Sequence, residues 1–166
     1  MSNCFTQACA AALLAFALLT SSTAPGAAEA VKPTVSASGI ITTKSAYGLQ
    51  ETVDRLKKDI AAKGITFFQE IDQSALAAKA AIELRPSILL IFGNPPLGTQ
   101  FMTANPQAGL DWPVRLLVYR DASGTVWTAY TDFAWIAKRH GVQSRDAQFR
   151  MASEVAASIV SSVAAH

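Results

Sequence analysis

An α+β fold in two layers, with a mainly antiparallel sheet and its helices on one face, is predicted by three features of the sequence. An amphipathic helix stands early in the chain, a run of short strands fills the second half, and a long helix closes it. Gly39-Ile40-Ile41-Thr42-Thr43 is β-branched and reads as the first strand. Gly48 to Lys63 follows as the clearest element. Leu49, Val53, Leu56 and Ile60 fall on one helical face, while Glu51→Arg55, Asp54→Lys58 and Asp59→Lys63 each set an acid four residues before a base. Gly64 closes this helix where a left-handed residue is wanted. The balanced signs mark a solvated face rather than a docking surface.

Ile65 to Ile71 reads as a strand returning along the same sheet, and Asp72 or Ser74 caps an Ala-rich helix over Ser74–Leu84 that must end before Arg85-Pro86. Ser87 to Phe92 is a continuous apolar run too short for a helix, so it is expected to be a central strand buried on both faces. Gly93-Asn94-Pro95-Pro96 stops it, and a short helix takes up Leu97 to Ala104. Val114–Tyr119 and Thr125–Tyr130 flank a hairpin turn at Asp121-Ala122-Ser123-Gly124, with Val126, Thr128 and Tyr130 on one face. A short helix over Asp132–Arg139 ends at His140-Gly141. Ser144 is expected to cap the final helix, whose inner side carries Phe149, Ala152, Ala156, Ile159 and Val163.

The front of the chain reads as an address. Residues 1–28 contain no charged side chain, and the stretch 10–19, AAALLAFALL, is shorter than the roughly 20 residues that span a bilayer. Pro25 and Gly26 precede small residues, so residues 1–28 are read as a signal peptide cut after Ala28 or Ala30. The chain is then expected to be periplasmic or secreted, with no stable membrane insertion after cleavage. One departure is the absence of Lys or Arg at the extreme N-terminus. Residues 29–38 are read as a tether and 39–166 as one domain. Cys4 and Cys9 both fall in the leader, which leaves the domain without a thiol or a disulfide.

Composition narrows the function classes. Fourteen bases against twelve acids give a net charge of +2, too little to argue for a nucleic-acid partner. His140 is the one internal histidine, so no metal site is expected, and its place in the last turn of a helix suits the dipole. No cofactor motif, phosphate loop or nucleophile elbow appears. Asp72 and Asn94 are candidate site residues at strand ends, although helix capping explains each residue type more economically. The backbone after Asn94 offers N–H groups that suit an anion. Trp112, Trp127, Trp135, Phe67, Phe68, Tyr119 and Tyr130 supply aromatic surface for a core, a ligand pocket or a dimer interface.

ETVDRLKKDIAAKGITFFQEID, LRPSILLIFGNPPLGTQFM and DWPVRLLVYRDASGTVWTAYTDFAWIAKRHG together resemble the bacterial and archaeal family called domain of unknown function 302, over Ser45 to Val142. The resemblance implies a β-α-β(4)-α domain, similar to the TATA-binding-protein-like class, that forms a homodimer and has no established activity. It also implies a shared site lined by Asp72, Gly93, Asn94, Pro95, Arg115 and Tyr130. Where that family often has His after the Asp, this chain has Gln73, which does not titrate near neutrality. The expectation is therefore a module that binds a small-molecule or anionic ligand, ahead of a dimeric scaffold. A hydrolase or isomerase with Asp72 as general base and Asn94 as polar anchor comes last.

Overall fold

The computed structural model describes residues 33–165, so residues 1–28, read above as a signal peptide, and both cysteines lie outside it. One antiparallel sheet holds β1 (Thr34–Val35), β2 (Ile40–Lys44), β3 (Thr66–Asp72), β4 (Ser87–Gly93), β5 (Val114–Arg120) and β6 (Val126–Thr131), in the order β1-β2-β6-β5-β4-β3. The helices are α1 (Leu49–Ala62), α2 (Gln73–Lys79), α3 (Pro95–Ala104), α4 (Phe133–Arg139) and α5 (Asp146–Ser161), with a 3-10 turn at Pro106–Leu110. The α+β architecture is the one expected. The sheet gains a sixth strand because Thr34–Val35, within the stretch read as tether, pairs with Ile41–Thr42.

Alternation decides which side of the sheet is covered. Ile88, Leu90 and Phe92 of β4 share one face with Leu116 and Val118 of β5 and with Val126 and Tyr130 of β6. All are buried, in one core with Val53, Leu56 and Ile60 of α1 and Phe149, Ala152, Ala156 and Ile159 of α5. Leu56 is fully buried, a contribution of about 1.5–3 kcal/mol for a side chain of this kind. The other face carries Leu89, Ile91, Leu117, Tyr119 and Trp127, which are only half-buried. β4 is thus an interior strand covered fully on one face, a correction to the expectation of burial on both. Its continuous apolar run reflects two flanking strands and a partly exposed second face.

Several ends differ from the sequence reading. The Ala-rich helix stops at Lys79 instead of Leu84, and Ala81 follows with φ 55°. None of its side chains is buried, so propensity has no packing to extend it. Arg145, not Ser144, stands before α5. β3 is one of the two outer strands, and its register with β4 shifts between Phe67 and Gln69, which pushes Phe68 out of the ladder.

The β5–β6 hairpin is tied by Asp121. Its Oδ1 accepts from the Ser123 hydroxyl and from the backbone N–H groups of Ser123 and Thr125, and its Oδ2 accepts from the Trp127 indole at 2.8 Å. These donors, Ser123 first, hold its carboxyl down to about 2. Gly124 completes the turn at φ 86°.

Candidate functional site

Strand β4 ends at Gly93, and Asn94 turns the chain into α3. Pro95 occupies the first helical position, where its missing N–H costs nothing. Asn94 Oδ1 accepts from the Leu97 N–H at 3.2 Å, so this side chain is the helix cap. After α3 and the 3-10 turn the chain returns through Trp112 into β5. The Trp112 indole lies against Gly93 and Gly98. A Cβ on Gly93 would sit 2.9 Å from Trp112 Cζ2, and one on Gly98 would overlap Trp112 Cε2 and Nε1. Phe68 meets the same indole edge-on, with centroids 6.1 Å apart.

The space left between α3, α5 and the end of the sheet is a cavity of about 470 Å³. Its walls are apolar: Phe92, Leu97, Phe101, Trp112, Val114, Phe133 and Val155 among them. Lys63, Asn94, Glu154 and Ser158 supply the polar lining. Lys63 is held by Asp59, with Nζ 2.7 Å from Oδ1. This volume lies within the ~300–1,000 Å³ common for small-molecule sites, and the mostly apolar lining with a few polar groups matches such sites.

The sequence-predicted residues do not assemble into one site. Gly93 and Asn94 line the cavity and Pro95 adjoins them. Tyr130 lies below its floor, on the core side, beside Phe92 and Val114. Burial and the nearby Asp132 push its phenol up to about 12. Arg115 is in register with Ile91 and so faces the opposite side of the sheet.

Asp72 is farther away. It pairs with Ile88 at the start of β4, whereas Gly93 at the other end pairs with Thr66. At about 3.3 Å per residue, Asp72 and Asn94 lie the better part of 20 Å apart, so the base and anchor proposed from sequence cannot hold one substrate atom. Asp72 Oδ1 accepts from the Ser74 hydroxyl at 2.6 Å and the Ala75 N–H at 2.8 Å. Those bonds, Ser74 first, lower its proton affinity, the wrong direction for a base. Gln73 is likewise engaged, its Oε1 accepting from the Ser87 hydroxyl at 2.8 Å.

A second constellation escaped the sequence reading. The Asp111 side chain is 3% exposed, and its Oδ2 lies 2.7 Å from His140 Nε2. Arg139 Nη1 donates to both its oxygens, at 3.2 and 3.1 Å, and Arg115 Nη2 donates to Oδ1 at 3.1 Å. Asn105 Nδ2 donates to the His140 carbonyl at 2.8 Å. His140 stands at the C-terminal cap of α4, the helix end where the sequence reading placed it, and is in addition a buried partner of Asp111. The His140 side chain is 5% exposed, and the cluster joins the 3-10 turn to α4. Among the described residues no group of His, Cys, Asp and Glu forms a metal cluster.

Comparison with known proteins fits this architecture. The family model described as Domain of unknown function DUF302 matches residues 41–165 and so takes in the final helix as well as the stretch of resemblance. The crystal structure of an uncharacterized conserved protein DUF302 from Bacillus stearothermophilus superposes with a TM-score of 0.69. It is 16% identical, covering 75% of this chain and 98% of that one, which establishes a shared fold. Two curated relatives are named Fluoride-specific ion channel FluC 1, of Brucella suis biovar 1 (strain 1330), and Fluoride-specific ion channel FluC 2, of Brucella melitensis biotype 1. Each is 39% identical over 105 residues, or 63% of this chain; the match covers 41% of the first and 39% of the second. The chain spans about two-fifths of the length of these relatives.

Proposed function

This chain belongs to the domain of unknown function 302 family, and from that premise we propose that it is an exported binding module that seats a small, apolar-bodied ligand between α3, α5 and the sheet. The cavity of about 470 Å³ carries the reading. Its wall of Phe92, Phe101, Trp112 and Phe133 rewards burial of apolar surface, while Asn94, Glu154 and Ser158 remain to orient a polar end. The uncharged leader supports export, which permits but does not require disulfides.

Ion conduction is not the reading adopted from the fluoride-channel names. Those names describe proteins much longer than the matched stretch, and an apolar wall offers fluoride few of the donors a desolvated anion needs. Among the described residues no helix is long and apolar enough to cross a membrane.

The test uses the neutral fluorophore N-phenyl-1-naphthylamine. The protein is expected to enhance its emission saturably, and Val155→Trp, which fills the cavity, is expected to weaken binding by about tenfold or more. Equal binding by the wild type and this variant rejects the cavity as the site.

A second reading, the homodimer, has its own support in the uncovered sheet face bearing Leu89, Ile91, Leu117 and Trp127. Sedimentation velocity at micromolar concentration is expected to give twice the monomer mass, reduced to one by Leu117→Glu. A wild-type monomer removes this reading without touching the first.

A further inference from the structure

The cavity between α3, α5 and the sheet carries an unmatched negative charge. Lys63 and Glu154 are the two charged residues on its lining. The Lys63 ammonium donates to both carboxylate oxygens of Asp59, at 2.7 and 2.6 Å, so its charge is answered where α1 ends. Glu154 has no such partner. Among the described residues it takes part in no ion pair, either with Lys63 or with Arg150 one turn earlier on α5. Glu154 and Ser158 are exposed and stand one turn apart on α5, beside the half-buried Val155 that also lines the cavity. The carboxylate is thus at the rim, and the rings of Phe92, Phe101, Trp112 and Phe133 line the space within.

The start of α3 borders the same space, and a helix start is ordinarily where an anion is held. This one has no free backbone donor in its first turn. Pro95 and Pro96 carry no N–H. The Leu97 N–H is taken by Asn94 Oδ1 at 3.2 Å, and that of Gly98 by the Asn94 carbonyl at 2.9 Å. The anion donors expected after Asn94 from the sequence are therefore missing or engaged.

We propose that the ligand of this cavity is an organic cation, an ammonium group carried on an apolar body. The proposal rests on the reading of the cavity as a binding site and adds the sign of the ligand's charge. The ammonium stays at the rim, where Glu154 pairs with it, Ser158 offers an acceptor oxygen and water remains in reach. The body lies against the aromatic walls, whose ring faces attract positive charge as well as apolar surface. An anionic head at the same rim meets the Glu154 carboxylate and finds Lys63 already bound to Asp59.

Three probes of one shape and different charge test this by titration calorimetry at neutral pH: 2-naphthylmethylammonium, 2-naphthylmethanol and 2-naphthylacetate. The ammonium is expected to bind about fivefold more tightly than the alcohol, and the carboxylate to bind most weakly. Raising sodium chloride should shrink that preference, because the pairing at the rim is open to screening. Glu154→Gln should bring the ammonium-to-alcohol ratio to about one, and Glu154→Lys should make the carboxylate the best of the three. Glu154 is exposed, so both variants are expected to melt as the wild type does. The inference is overturned if the alcohol or the carboxylate binds as well as the ammonium, or if Glu154→Gln keeps the preference. Equal binding of all three probes rejects the charge assignment and leaves the cavity as a binding site, whereas no binding by any of them rejects both.

Discussion

Gly98→Ala is expected to destabilise the protein by about 2 kcal/mol, with the sign set by Trp112. At an unobstructed position inside a helix, replacing glycine by alanine gains about 1 kcal/mol, because alanine has less backbone freedom to lose. Gly98 lies inside α3 and is buried, and the space its Cβ would take is occupied by the indole. Relief requires the ring to move, but the ring is also packed against Gly93 and Phe68. Overpacking therefore outweighs the propensity gain. In a Trp112→Ala background the obstruction is gone and Gly98→Ala should become stabilising by about 0.5–1 kcal/mol. The coupling across this double-mutant cycle, about 2.5–3 kcal/mol, is read from urea midpoints at constant m. Additive effects would mean that the indole does not lie over Gly98.

Asp111→Asn should cost about 2–3 kcal/mol, also measured by urea unfolding. Removing one partner of a buried charge network commonly costs ~3–5 kcal/mol, because the remaining charges stay desolvated. Here Arg115 and Arg139 are 50% and 47% exposed and can turn to water, which lowers the figure. His140 cannot, being 5% exposed, so it loses its carboxylate partner in place. Trp112 follows Asp111 directly, and the same variant should shift tryptophan emission to the red as that wall of the cavity loosens. A destabilised variant with unchanged emission would show that the cluster clamps α4 without bracing the cavity.

Much of the fold was legible in the chain because its signals are local. The face of Leu49, Val53, Leu56 and Ile60, the turn at Asp121–Gly124 and the stop at Gly93–Pro95 all depend on neighbours within a few residues. The cavity was not legible. It exists because Trp112 reaches back over Gly93 and Gly98 and α5 lies across the gap, contacts between segments distant in sequence. The Asp111 cluster draws on His140 and Arg139, 29 and 28 residues away, and no motif spacing announces such a meeting.

The distance between Asp72 and Asn94 was not legible either. Between β3 and β4 stands a connection of 14 residues that includes α2, a length that serves a parallel crossover as well as an antiparallel return. The two strands run antiparallel, which sets the end of β3 beside the start of β4 and puts Asp72 and Asn94 at opposite ends of the sheet. The expected burial of β4 on both faces failed because an apolar run does not by itself say whether helices cover both sides of a sheet.

The displaced Phe68 has a bearing on how this chain behaves in a crowded compartment. A free sheet margin is a template on which another chain can grow, and long uninterrupted margins seed fibrils. Here an incoming strand would find regular hydrogen-bonding positions only along Thr66–Phe67 on one side of the kink and Gln69–Asp72 on the other. Neither stretch is long enough to start an orderly stack, so the same irregularity that sends Phe68 toward Trp112 keeps copies of the molecule from zipping together.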